Sequence, residues 1–285
     1  MSNPFRTGFL LCVRRVLCRG EPAALLLALA ASSCAPALMK LPSGPGTPAS
    51  DARDVLADAT SACRAVGTIT AEIAVSGSVG GQRLRARITA GLAPPASARL
   101  EAVAPFGAPI FIFAAVNDEA TLLLPRDNRV LEHGRSDAVL EAVASMPLGA
   151  AGLREALTGC ASLNVDAARA TQAGSDWRIV PDGSTDVYLH REGPGGHWRL
   201  VATAHHGAPG GDWRAEYSAF QPNGLPQTVR FTSRPGDRFD LRLVLSQVDI
   251  NTTLGADVFR VQVPPTAVPI TLDELKHARP GVREN

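Results

Sequence analysis

After residue 67 the chain alternates. Ile69, Ala71, Ile73 and Val75 are separated by Thr70, Glu72 and Ala74, while Leu84, Ala86 and Ile88 are separated by Arg85 and Arg87, with Arg83 and Thr89 at the ends. Successive side chains of a strand point to opposite faces, so this period of two predicts a pair of half-buried strands. Gly77, Gly80 and Gly81 between them predict an antiparallel hairpin. Residues 99–103 alternate as well, but Ile110-Phe111-Ile112-Phe113 and Leu122-Leu123-Leu124 are apolar on both faces. An antiparallel strand of that kind must be covered on both sides. Helical patterns over 137–145, after Ser136, and over 150–158, before Gly159, stand where they can supply that cover.

The second half repeats the strand pattern. Segments 187–190 and 198–202 flank the turn-forming Glu192-Gly193-Pro194-Gly195-Gly196. Strands are predicted over 213–220, 228–233 and 239–245, with a last strand over 258–263 before Pro264-Pro265 and a closing helix over 272–277. Ahead of all of them, Val55, Leu56, Ala59, Cys63 and Val66 fall on one face of a helix over 50–66 that Ser50 can cap. The economical fold is mainly β with some α: a single curved antiparallel sheet of about ten or eleven strands, an incomplete barrel, with helices lidding its concave face.

The N-terminus has a different pattern. Arg6, Arg14, Arg15 and Arg19 precede nine apolar residues, Ala23 to Ala31, and then Ser32-Ser33-Cys34. A basic segment, a short apolar core and small residues before a cut site make a secretory signal. Nine residues are too few for a membrane-spanning helix, which needs about 20. The cysteine after small residues resembles the lipobox of bacterial lipoproteins. That resemblance implies a signal peptide over 1–33, acylation at Cys34 with palmitate-type chains, and a lipid anchor on a membrane. Ala35, where aspartate would mark inner-membrane retention, favours the periplasmic face of the outer membrane. Residues 34–50, rich in Pro, Gly and Ser, have the composition of a flexible tether, leaving 51–285 as the folded domain.

Export changes the charge and the cysteine count. The chain carries 28 basic and 27 acidic residues; losing four arginines and Glu21 with the signal leaves 24 basic and 26 acidic. A near-neutral chain has no electrostatic footprint for nucleic acid. Cys63 and Cys160 remain beside Cys34, in an oxidising compartment where a disulfide can persist. They are read either as a bridge or as two buried thiols.

Catalytic chemistry is sparse. His190, His197, His205 and His206 are the one histidine cluster, without acidic or cysteine ligands at zinc-like spacing. No G-x-S-x-G elbow, phosphate-binding glycine loop or H-E-x-x-H is present. Neither an enzyme nor a cofactor is expected.

Several segments, in order, resemble the LolB family of outer-membrane lipoprotein acceptors. Arg99-Leu100-Glu101 leading to Ala104-Pro105-Phe106-Gly107 is similar to its strand and protruding loop. Ser145-Met146-Pro147-Leu148, Leu153-Arg154 and Leu157-Thr158-Gly159 are similar to its helical stretch, and Trp213-Arg214, Tyr217 and Leu225-Pro226 to its last strands. Residues from about 251 onward look more like the end of LolA and related envelope lipoproteins. The resemblance implies a chaperone-like cavity for acyl chains of lipids or lipoproteins, here lined by Leu100, Phe111, Phe113, Leu122, Leu124, Met146, Leu153, Leu157 and Phe231. It further implies that Phe106 enters the membrane and that a periplasmic carrier protein delivers cargo in lipoprotein transport. The second reading is a structural or assembly lipoprotein that keeps the fold and binds other envelope proteins.

Overall fold

The computed structural model describes residues 37–103, 109–160, 167–208, 211–234 and 238–278. The signal segment, Cys34 and Phe106 lie outside the described residues. Contacts divide the chain after Lys40, and the larger unit, which holds every strand and helix described below, begins at Leu41.

Among the described residues, fifteen strands form one sheet that does not close on itself. In chain order they are β1 (Thr47–Pro48), β2 (Ile69–Val79), β3 (Gln82–Ala93), β4 (Ser97–Val103), β5 (Phe111–Val116), β6 (Glu119–Leu124), β7 (Arg129–Arg135), β8 (Thr171–Ala173), β9 (Trp177–Asp182), β10 (Thr185–Arg191), β11 (Trp198–His205), β12 (Asp212–Phe220), β13 (Pro226–Arg234), β14 (Phe239–Ile250) and β15 (Val268–Pro269). Across the sheet they run β1, β8 to β14, β2 to β7, then β15. Every neighbouring pair is antiparallel except β7 with β15. The fold is thus the open antiparallel half-barrel the alternation predicts, with more strands than the ten or eleven expected. The strands beyond those expected are the two-residue β1 and β15 at the edges, β7, and β8 and β9, of which β8 has no apolar run and β9 contains Pro181; the strand expected over 258–263 is not among them.

The central hairpin follows its residue types. Val79 pairs with Gln82 across Gly80 and Gly81, both at positive φ, the backbone that a two-residue hairpin turn requires. Gly77 has φ 141°, and a Cβ there would overlap the Asp240 carbonyl, so only glycine lets β14 come this close.

Among the described residues there are five helices, α1 (Ala52–Ala59), α2 (Ser61–Arg64), α3 (Ser136–Ala144), α4 (Ala150–Thr158) and α5 (Leu272–Ala278), of which α1, α3 and α4 pack on the sheet. The helix expected over 50–66 is broken at Thr60, whose hydroxyl bonds back to the Leu56 carbonyl at 2.7 Å. Its cap is Asp51, not Ser50, and the Asp51 carboxylate grips Arg178 of β9 at 2.7 and 2.8 Å instead of capping α1. Thr271 and Glu274 form a reciprocal capping box at the start of α5. α1 packs on β9, β10 and β11, α3 on β6, β7 and α5, and α4 on β3, β4 and β13.

Two further expectations change. No strand forms over 258–263; a 3-10 turn, Ala256–Phe259, takes its start. Arg99 donates to the Val258 and Arg260 carbonyls at 3.3 and 3.1 Å, which removes acceptors that a ladder would need. The composition of a flexible tether extends to residue 50, yet Thr47 and Pro48 pair with β8, and the Ala49 amide donates to Ala170 at 3.0 Å.

Candidate apolar binding cavity

The inner faces of β2, β3, β4 and β14 present one continuous apolar surface. Ladder rows such as Leu243–Val75–Ala86 and Leu245–Ile73–Ile88 cross from strand to strand. Ile73 and Val75 are buried, whereas Leu84, Ala86 and Ile88 are half-buried. α3 contributes Leu140, Val143 and Ala144 from one side, and α4 contributes Leu153 and Leu157 from the other. Between helices and sheet is a cavity of about 180 Å³, roofed by Met146 and Leu148 of the α3–α4 connection. Arg85, at its rim, is the one polar residue among those lining it.

Local sequence shapes this roof. α3 ends at Ser145 and α4 at Gly159, each in the left-handed region that terminates helices. Glu141 of α3 accepts from Arg238 at 3.2 Å. Just past α4, Cys160 is bridged to Cys63 of α2 with Cα atoms 5.6 Å apart. Of the two readings of these cysteines, the structure therefore has the bridge. It fixes the far end of α4 and leaves the connection over the cavity outside the cross-link.

Of the residues singled out for the acyl cavity, Leu100, Phe111, Met146, Leu153 and Leu157 line it. Phe113, Leu122, Leu124 and Phe231 do not; all four are buried in the core. Phe113 and Leu122 are ladder partners on the stretch of sheet that α3 covers, and Phe231 packs on Trp213 with ring centroids 6.2 Å apart. Sequence reasoning missed Ile73, Val75, Leu84, Ala86, Ile88, Leu241 and Leu243, although their alternation identified the same face.

A second cavity, of about 150 Å³, lies on the other side of α4 and shares Leu148 with the first. Glu155 of α4 and Asp182, Thr185, Thr203, His205, Trp213 and Tyr217 of the sheet line it. Burial raises the Glu155 carboxyl above its ordinary value, with Arg154 opposing and Asp182 adding to the shift. Burial lowers the His205 imidazole to about 4, helped by neighbouring His206, and its ring stacks on Trp213 at 3.6 Å. Burial also pushes the Tyr217 phenol well up, against a hydrogen bond with Thr203.

The histidine cluster does not assemble. His190 packs beside Trp177 at 4.3 Å, and His206 lies 3.0 Å from the Asp186 carboxylate. No group of three or more His, Cys, Asp or Glu among the described residues could hold a metal ion.

No protein-family model matches the sequence, and no curated protein matches it. Solved structures do. A LolA superfamily protein from Nitrosomonas europaea aligns with a TM-score of 0.50 at 9% identity, over 74% of this chain and 97% of its own. An outer membrane lipoprotein-sorting protein domain from Vibrio parahaemolyticus aligns with a TM-score of 0.49 at 12% identity, over 73% of this chain and 96% of its own. The chain has the LolA/LolB-like fold.

Proposed function

We propose that this chain is a lipid-anchored envelope protein that takes acyl chains of lipids or lipoproteins into the cavity under α3 and α4, in lipoprotein acceptance or insertion at the outer membrane. The observation that carries the reading is the aliphatic lining, which offers no directional partner beyond Arg85 at the rim. Such a surface gains about 25 cal/mol per Å² buried and distinguishes poorly between chains, which suits a protein that must release its cargo. The fold and the lipobox-like N-terminus support the same reading. Cys34 is its anchor, Phe106 its membrane-entering residue and a periplasmic carrier its source of cargo.

The cavity size adds a mechanism. A void of about 150 Å³ holds one benzene, and drug-sized ligands use about 300–1,000 Å³. The space here, about 180 Å³, takes a short stretch of acyl chain, and a whole chain needs the roof to lift. The disulfide holds one end of α4, so the part that lifts is α3 with residues 145–149, released by parting Arg238 from Glu141.

The test uses the full chain with Cys34→Ala, which removes acylation. It is expected to bind a fluorescent fatty acid saturably and to copurify with lipids seen by mass spectrometry. Ala86→Trp, which fills the cavity from β3, abolishes that binding while the fold is kept. Fatty-acid binding that is absent, or unchanged by Ala86→Trp, refutes the reading and favours the structural lipoprotein.

A further inference from the structure

The outer face of β3 carries a row of arginines, of which only Arg85 also reaches the cavity rim. Arg83, Arg85 and Arg87 alternate with the inward residues and are exposed. Alternate residues of a strand lie about 6.8 Å apart, so the three form a straight cationic row. Register adds a fourth member: Arg85 is opposite Ser76, and Ser76 is opposite Arg242 of β14, which is also exposed. Two strand spacings place that arginine about 9.6 Å from Arg85. None of the four has an ion pair among the described residues.

Nearby carboxylates are spoken for or set back. Asp240, in the row of Arg83, is held in a bidentate pair by Arg230 at 2.9 and 2.7 Å. Glu101 is paired with Arg99, and Glu72 lies one row beyond Arg87, opposite Thr89. Neighbouring charges of the four lie within about a Debye length and repel one another, and an anionic partner relieves that repulsion. The residues between them are Ala74, Ser76 and Ser78, so the surface has no aromatic anchor or pocket of the kind that concentrates binding energy in protein interfaces. A flat array of arginines over small residues instead fits a layer of phosphate headgroups.

We propose that this face, Arg83, Arg85, Arg87 and Arg242, docks on an anionic lipid bilayer. β4 ends opposite Arg87, no described strand pairs Gln82–Ala86 on that side, and Arg85 of the row stands at the cavity rim. Docking there holds the cavity mouth close to the bilayer surface. Bilayer attachment by this face is independent of acyl uptake, and its test reads vesicle binding alone.

The full chain with Cys34→Ala is sedimented with vesicles of phosphatidylglycerol and phosphatidylcholine, and with vesicles of phosphatidylcholine alone. Binding is expected only to the anionic vesicles and is lost as salt rises from about 0.1 to 1 M. Arg83→Ala/Arg85→Ala/Arg87→Ala weakens it on the order of 100-fold, and Arg242→Ala alone about fivefold, with thermal melting unchanged. The triple variant Arg53→Ala/Arg260→Ala/Lys276→Ala, with the same loss of charge elsewhere, binds as the parent does. Equal binding to both vesicle types overturns the proposal, as does equal weakening by the two triple variants. If the arginines only guard the sheet edge, or meet an acidic protein, the parent chain fails to bind anionic vesicles, and that also overturns it. Fatty-acid uptake by the same samples separates this failure from that of the cavity reading.

Discussion

The two sides of α4 enclose similar volumes with opposite chemistry. Towards β2, β3 and β4 the inner face carries Leu, Ile, Val and Ala, and the space left over is apolar. Towards β10, β11 and β12 it carries Thr185, Thr203, His205, Trp213 and Tyr217, and the helix answers with Glu155. All three tryptophans and both tyrosines of the chain fall on β9 to β12. One sheet with one period of alternation thus builds an aliphatic half that leaves room and an aromatic, hydrogen-bonded half that specifies a single packing. On the proposed reading, the aromatic half keeps the fold while the aliphatic half opens to cargo.

The largest expected effect tests that division through stability. Phe231→Ala removes a fully buried ring packed on Trp213 and costs about 3–5 kcal/mol in urea unfolding. Leu84→Ala, on the half-buried cavity wall, costs under about 1 kcal/mol, because the side chain is partly exposed and gives up little buried area. Equal costs would mean that the cavity wall is packed as tightly as the aromatic half.

The disulfide sharpens the comparison, since it fastens α4 at the end away from the roof. Cys63→Ser/Cys160→Ser releases a cross-link spanning 97 residues and is expected to lower stability by about 2–4 kcal/mol. Free-thiol labelling of the unfolded, unreduced parent finds neither cysteine reactive. Without the bridge both ends of α4 can lift, so fatty-acid entry should speed up. An unchanged entry rate would place the moving part wholly at α3.

How much of the molecule was legible in the sequence differs between the halves for physical reasons. Alternation marked the β2–β3 hairpin, its turn and the inward face, because period two is a local signal. The helices over the cavity were legible from their caps, Gly159 above all. The four core residues assigned to the cavity, Phe113, Leu122, Leu124 and Phe231, were legible as inward-facing, but which inward residues a helix covers is a tertiary fact. β9 was obscured by Pro181 and the turn residues at both ends. The ladder of Thr47–Pro48 carries no local pattern at all. The second cavity escaped notice because Glu155 and His205 are far apart in sequence and meet only across α4 and β11.

That second cavity gives the smallest predicted effect, a pH dependence with two opposed contributions. His205 is depressed to about 4 by burial and by His206, against an ordinary value of 6.5. Between those two values the unfolded chain binds a proton on this residue that the folded chain refuses. Stability therefore falls as pH drops from about 6.5 towards 4, by at most about 3 kcal/mol, and levels off below. Glu155 acts with the opposite sign: burial raises its carboxyl, so the folded state binds its proton first, and acidification through that raised value adds stability. Together these two groups contribute a loss on leaving neutrality, partly recovered near the carboxylate range. His205→Gln should flatten the first limb and leave the second, while Glu155→Gln should do the reverse. Leu84→Ala, on the other side of α4, should change the height of the curve and not its shape. If His205→Gln leaves the slope between pH 6.5 and 4 unchanged, the imidazole is not buried against Trp213, and the polar half is looser than the stacking implies.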